Sequence, residues 1–255
     1  MSKDANIYPF SLDFNKCYNG KPFFASFPFI INGEPAKGIT CGISSVFAGD
    51  MKYESTNQNR QNLFAELGLN PVNVYGLKQI HSRSVMTVSA KNAPLAEADA
   101  MVTQDSDIIL SVTTADCLPI YLLDAKSGAF GIAHSGWKGT GIAIDAVSQM
   151  KKNWGTKPCD VAAVLGPCIG SCCYNVDEER AFYFKNEFGS DSVREHDNKY
   201  YLDLKTANIT LLKEAGVKNI SVCEDCTFTD KRLGSFRREG EKFTRMAALA
   251  GIIPG

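Results

Sequence analysis

The sequence predicts an α+β fold built on mixed sheets. Three observations predict it. Short apolar runs rich in β-formers crowd the middle of the chain, and amphipathic helical stretches are interleaved with them. Several neighbouring runs also lie too close together for helical crossovers, which argues against an all-parallel sheet.

The elements follow in order. Residues 23–44 combine β-formers with Gly and Pro and read as strands, with Asn32-Gly33 as a hairpin signal. Residues 56–67 read as a helix with Leu63, Phe64 and Leu67 on one stripe and Gly68 as the stop. Residues 73–80, 85–89, 107–113, 118–123 and 129–133 are the predicted central strands. Residues 139–152 predict a helix with Ile144, Val147 and Met150 on one face. A buried strand is expected at 161–165, ended by Gly166-Pro167. Helices are expected at 177–188 and 203–215, the second stopped by Gly216, and a late strand at 219–223.

Composition bounds the function. The chain has 255 residues, 44% hydrophobic and 22% charged, which is ordinary globular usage. A formal net charge of −1 advertises neither nucleic acid nor an anionic membrane as partner. The first residues lack the apolar stretch of a signal peptide, and no run of about 18 apolar residues predicts a membrane-spanning helix. Nine cysteines without export signals read as thiols rather than a disulfide framework, so a cytoplasmic protein is expected.

The chemistry concentrates on two of only three histidines. His81 closes Lys78-Gln79-Ile80-His81, and His134 opens His134-Ser135-Gly136-Trp137-Lys138-Gly139. Asp116-Cys117 lies between them, and His81, Cys117 and His134 each fall at or beyond a predicted strand end. Two imidazoles and a thiolate suit zinc, and three ligands leave a fourth position open for water or substrate. The separations of 36 and 17 residues are no short-motif signature, so two core histidines and a buried thiol would also account for them. Asp116 is a candidate base or ligand-orienting carboxylate if the chain turns before Pro119. The glycine loop, with Gly136, Lys138 and Gly139, is a candidate phosphate site at a helix start, although it matches neither common nucleotide-loop pattern. Arg237 and Arg238 are a candidate clamp for phosphate or carboxylate, and His196 reads as a surface residue. Cys168, Cys172 and Cys173 with Cys223 and Cys226 raise a second, four-cysteine zinc site, although only the latter pair has the usual spacing. A redox role for Cys223 and Cys226 is disfavoured because residues 226–229 read as extended rather than as a helix start.

These pieces in this order resemble the YfiH-like family, also called the laccase-domain or multicopper polyphenol oxidase family and related to FAMIN. Further matching stretches are Ala98-Asp99-Ala100, Gly166-Pro167-Cys168-Ile169, Leu202-Asp203-Leu204, Cys226-Thr227 and Ser235-Phe236-Arg237-Arg238-Glu239-Gly240. The resemblance implies one catalytic domain over residues 1–255, α/β/β/α layers likened to Cys/His toxin deamidases, and a zinc held by His81, Cys117 and His134. Ser135, Lys138, Asn175 and Phe236 depart mildly from the family pattern. The activities it implies are phosphorolysis of adenosine, inosine, guanosine and methylthioadenosine, and deamination of adenosine. Purine nucleoside and phosphate are then the expected partners of a monomer or weak homodimer.

Three other readings stand beside it. One is an amide hydrolase, including a peptidoglycan editing factor that removes L-Ser from a cell-wall precursor, with Cys117 or a metal-bound water as nucleophile. Another is a copper-dependent laccase. Three histidines are too few for multicopper chemistry, although Cu2+ in an open site can still oxidise phenols slowly. The last is a metal-binding protein without catalysis.

Overall fold

A computed structural model describes residues 5–254 except 19, 55 and 90–95. A seven-stranded mixed sheet has the order β1 (Asn6–Phe10), β15 (Asn219–Cys223), β11 (Val161–Leu165), β9 (Leu118–Asp124), β10 (Phe130–Ser135), β7 (Ala100–Thr103) and β6 (Val85–Thr87). A six-stranded mixed sheet has the order β2 (Lys16–Tyr18), β3 (Lys21–Ile31), β4 (Glu34–Ser44), β16 (Met246–Gly251), β8 (Ile109–Thr114) and β5 (Val74–Gly76). A small sheet orders β12 (Asn175–Val176), β14 (Lys199–Leu202) and β13 (Val193–His196).

Three buried clusters define the layers. Phe27, Ile43, Leu110 and Ala248 of the six-stranded sheet meet Tyr121, Phe130, Ile132 and Val164 of the seven-stranded one. On the far side of the larger sheet, Ile120, Ala133 and Leu165 pack with α2 (Ile142–Trp154), α3 (Glu178–Phe188) and α4 (Leu204–Glu214) through Met150, Phe184 and Leu212. On the far side of the smaller sheet, Phe24, Ile109 and Leu249 pack with α1 (Gln58–Glu66) through Leu63 and Phe64. The result is the expected α/β/β/α stack with mixed sheets. Among the described residues, no helix is long and apolar enough to cross a membrane.

Local chemistry explains the elements. Asn32 and Gly33 both take positive φ, 53° and 89°, as a two-residue hairpin turn requires. Asn57 caps α1 by accepting from the N–H groups of Asn59 and Arg60. Asp177 and Asp203 cap α3 and α4 in the same way. Some boundaries differ from expectation. The helix predicted from residue 139 starts at Ile142, because Gly141 sits at φ 96° and cannot extend it. The strand predicted over 73–80 ends at Gly76 and resumes only as a bridge between Lys78 and Glu97. Residues 227–229 form a turn rather than extended chain.

Gly42 in β4 marks a close approach. A Cβ there would stand 2.1 Å from Cζ of the fully buried Phe24 and 3.1 Å from the Ala25 carbonyl oxygen. Gly42→Val is therefore expected to cost roughly 1–3 kcal/mol, because neither the ring nor the backbone can withdraw. Chemical denaturation measures the loss, and an unchanged midpoint would contradict this packing.

Candidate active site

The site is built on two turns and the end of β10. His134 lies within β10, paired with Pro119 of β9. Cys117 immediately precedes β9, and His81 follows β5 on a turn. His81 and Asp116 both take left-handed backbone, at φ 58° and 84°. That conformation costs a residue with a Cβ roughly 1–2 kcal/mol, so surrounding contacts must hold it.

At His81 the holder is Asp99. Its buried carboxylate accepts the backbone N–H groups of Ile80 (3.2 Å), His81 (3.0 Å) and Ser82 (2.6 Å), and the Ser82 hydroxyl (2.8 Å). Its Oδ1 is also 2.9 Å from His134 Nδ1. One carboxylate thus shapes the His81 turn and orients the His134 ring, leaving Nε2 of His134 for the site. Burial pushes the Asp99 carboxyl up, but the bonds from His134 and Ser82 outweigh it and bring it down to about 2.

At Asp116 the holders come from the far end of the chain. Oδ1 accepts the Thr227 hydroxyl at 2.6 Å, and Oδ2 accepts the Arg237 backbone N–H at 2.7 Å. The Asp116 carbonyl accepts the Ile169 N–H. Gln79 fixes the neighbouring wall by bonding both the N–H and the carbonyl of Thr113.

These turns bring the predicted trio together. The ligand atoms of His81, Cys117 and His134 lie within 4.8 Å of one another, and the imidazole rings stand edge to face at 4.9 Å. Burial pushes the Cys117 thiol up, but the positive His134 and hydrogen bonds from both histidines bring it down to about 6. Burial lowers His134, yet the Cys117 sulfur and Asp99 raise it to about 9. Gly136 leaves the space open: a Cβ there would be 2.9 Å from Cys117 Sγ and 3.5 Å from His81 Cδ2. The donor set, its spacing and the anchored imidazole fit a metal ion.

The trio lines a cavity of about 530 Å³ together with Asp116, Trp137, Tyr174, Phe236, Phe243 and three arginines, Arg180, Arg237 and Arg245. Among the described residues, Asp116 is the one carboxylate in that lining. The Arg180 guanidinium lies 4.5 Å from the Trp137 ring centroid, and that of Arg237 lies 5.2 Å from Tyr174. Arg237 also bonds the Asn175 carbonyl and side-chain oxygens at 2.9 and 2.6 Å.

Several candidates fall elsewhere. Arg238 points away from the cavity: its guanidinium donates to the carbonyls of Thr227, Phe228, Asp230 and Leu233 and pairs with Glu239. Lys138 lies over Trp137 at 5.4 Å and is not in the cavity lining. Three donors of the glycine loop are occupied: the N–H groups of Gly139 and Ile142 bond loop carbonyls, and that of Gly141 bonds Asn208 Oδ1 on α4. Gly136 lies beside Cys117 and His81. His196 is exposed beside Asp197, as the sequence suggests. Arg180 and Arg245 line the cavity without having been singled out by sequence reasoning. Asp99 and Thr227 entered it only within the family-matching stretches Ala98-Asp99-Ala100 and Cys226-Thr227, with no role assigned to either.

The family described as multi-copper polyphenol oxidoreductase laccase matches residues 38–253, a span that includes the whole site. The chain belongs to this laccase-domain family. A purine nucleoside phosphorylase of Deinococcus radiodurans is 36% identical over 76% of this chain and 76% of its own. Purine nucleoside phosphorylase CA_C1699 of Clostridium acetobutylicum is 32% identical over 77% of this chain and 84% of its own. The crystal structure of YlmD from Geobacillus stearothermophilus superposes with a TM-score of 0.79 at 27% identity, covering 89% of this chain and 97% of that one. The laccase-domain family implies metal binding, and His81, Cys117 and His134 are donors that could hold the ion.

Proposed function

We propose that this chain is a zinc-dependent purine nucleoside phosphorylase. It cleaves adenosine, inosine, guanosine and methylthioadenosine to base and ribose 1-phosphate, and it also deaminates adenosine to inosine. The observation that carries this reading is one cavity that joins a His2Cys donor cluster to aromatic walls and three arginines. The relatives named as purine nucleoside phosphorylases support it.

Phosphorolysis requires a phosphate oxygen to bond C1′ while the bond from C1′ to the purine nitrogen breaks and the base leaves with a proton. Arg180 and Arg237 supply positive charge for the phosphate, while Arg245 is already paired with Asp50 at 3.0 Å. Trp137, Tyr174 and Phe236 supply faces for the purine and ribose. Asp116 is the proposed proton carrier, since each of its oxygens keeps a lone pair beyond the bond it already accepts. His81, Cys117 and His134 would hold the zinc, which when bound supplies Lewis acidity and a water of pKa about 7. The proposed compartment is the cytoplasm, where a thiol-rich chain stays reduced.

Mass spectrometry of products from adenosine, with and without phosphate, tests the reading. Adenine and ribose 1-phosphate that require phosphate, and inosine that does not, are the expected products, both lost in His81→Ala. No turnover under either condition would reject it. A second reading, an amide hydrolase with Cys117 as nucleophile, draws on the hydrogen bonds that tie this thiol to His134. A covalent acyl adduct at Cys117 would favour it.

The two neighbouring arginines separate binding from folding. Arg237→Gln is expected to raise the phosphate KM about tenfold or more, a loss of roughly 1.4 kcal/mol. Arg238→Gln is expected to leave that KM unchanged and lower the melting temperature, because it releases four carbonyls. Equal effects on KM would contradict their assignment.

A further inference from the structure

Outside the cavity, a second group of soft ligands converges from two distant turns. Cys172 and Cys173 lie on the turn that follows Gly170, and Cys226 opens the turn at 227–229. Cys172 Sγ is 3.3 Å from Cys173 Sγ and 3.8 Å from Cys226 Sγ, and the three sulfurs lie within 4.8 Å of one another. All three are free thiols.

The backbone prepares the place. The Gly170 N–H donates to Cys226 Sγ at 3.2 Å. A Cβ on Gly170 would press on Cys172 Sγ at 3.2 Å and on Cys226 Sγ at 3.4 Å, so glycine keeps the sulfurs uncrowded. A bridge between Cys168 and Cys226, with the Thr227 N–H on the Cys168 carbonyl, fixes the two turns against each other. Cys226 is buried while Cys172 is exposed, so the cluster has an inner anchor and an open mouth.

We propose that Cys172, Cys173 and Cys226 form a second metal site, one for Cu(I), distinct from the His2Cys centre. A set of three sulfurs favours a soft ion that needs no fourth ligand. Thiolates select soft ions such as Cu(I) and Zn2+ over Mg2+ or Ca2+. Structural zinc takes four protein ligands. Among the described residues, no fourth His, Cys, Asp or Glu atom joins this group. A d10 monovalent copper is content with three sulfurs. Sulfurs that share an ion at about 2.3 Å stand roughly 3.8–4.0 Å apart. The Cys172 to Cys226 separation already matches, and the exposed Cys172 can swing away from Cys173. The expected four-cysteine site is thereby replaced. Cys168 Sγ turns to the Ile169 carbonyl, and Cys223 Sγ lies 3.3 Å from Asp225 Oδ2.

Occupancy would pin together two cavity walls. Tyr174 follows Cys173 and lines the cavity, and Thr227 follows Cys226 and holds Asp116. The site does not depend on the nucleoside reading.

Anaerobic titration of the full chain with Cu(I), against a competing Cu(I) chelator and with reductant present, tests the proposal. The His81→Ala/Cys117→Ala/His134→Ala variant is expected to retain about one Cu(I) per chain. X-ray absorption of that species should show sulfur-only coordination. Adding Cys172→Ser should abolish that copper, and because Cys172 is exposed this change should leave the fold intact by circular dichroism. Copper should also raise the melting temperature of the triple variant but not of the variant with Cys172→Ser. Retention of the copper after Cys172→Ser, nitrogen or oxygen ligands in the absorption spectrum, no bound copper in the triple variant, or a disulfide among these three residues that persists in reductant would each overturn the proposal.

Discussion

Cys117→Ala is expected to lower nucleoside phosphorolysis by at least about a thousandfold and to strip the metal from the His2Cys centre. The thiol is the one sulfur in that donor set, and it is hydrogen-bonded to both histidines. Losing it removes the one thiolate of the proposed ligand set, and with it the negative charge that set offers a cation. A thousandfold loss is about 4 kcal/mol of transition-state stabilisation, within the several kcal/mol a metal ion supplies. Cys159→Ser, at an exposed thiol outside the cavity lining, is the control and should change neither quantity. Turnover and bound zinc, measured on the same preparations, check the result. Full activity in a metal-free Cys117→Ala protein would remove the centre from the mechanism.

Asp99→Asn carries the second-largest effect, although the residue does not line the cavity. An amide can accept through one atom only, so either the His81 N–H and the His134 ring, both on Oδ1, or the Ile80 and Ser82 N–H groups, both on Oδ2, lose their acceptor and face an NH2 instead. Partners that orient a metal-ligating histidine are typically worth 10- to 100-fold in metal affinity or activity. The expected outcome is therefore a loss of about 10- to 100-fold in both, together with destabilisation of roughly 2–4 kcal/mol from unpaired buried donors. Because Asp99 acts through His81 and His134, competition with a zinc chelator should shift in step with kcat. A fall in kcat with unchanged metal affinity would show that the carboxylate has another role.

Much of this architecture is legible in the chain. The hairpin at Asn32-Gly33, the strands 161–165 and 219–223 and the helices capped by Asp177 and Asp203 follow from turn chemistry, apolar runs and caps. Other elements carry no such mark. β16 reads Met-Ala-Ala-Leu-Ala-Gly, with small residues and no alternation, and is a strand because β4 and β8 flank it on both sides. β7 is likewise defined by its neighbours β10 and β6.

The site divides in the same way. His81, Cys117 and His134 are legible because imidazole and thiolate have few competing uses in a chain with three histidines. The sequence by itself determined the candidate donors and a class of mixed sheets with helices, and its resemblance to the family implied the layers. Tertiary structure alone decided which ordinary residues serve the site. Arg237 enters the cavity while its neighbour Arg238 turns back onto four carbonyls, since adjacent residues on the short helix α5 (Phe236–Glu239) face different ways. Asp99 governs a turn 17 to 19 residues before it, and Thr227 holds an aspartate 111 residues away. Carboxylates, hydroxyls and guanidinium groups are common surface chemistry. What gives them a task is burial and the partner they meet, and both are properties of the closed chain rather than of any local stretch.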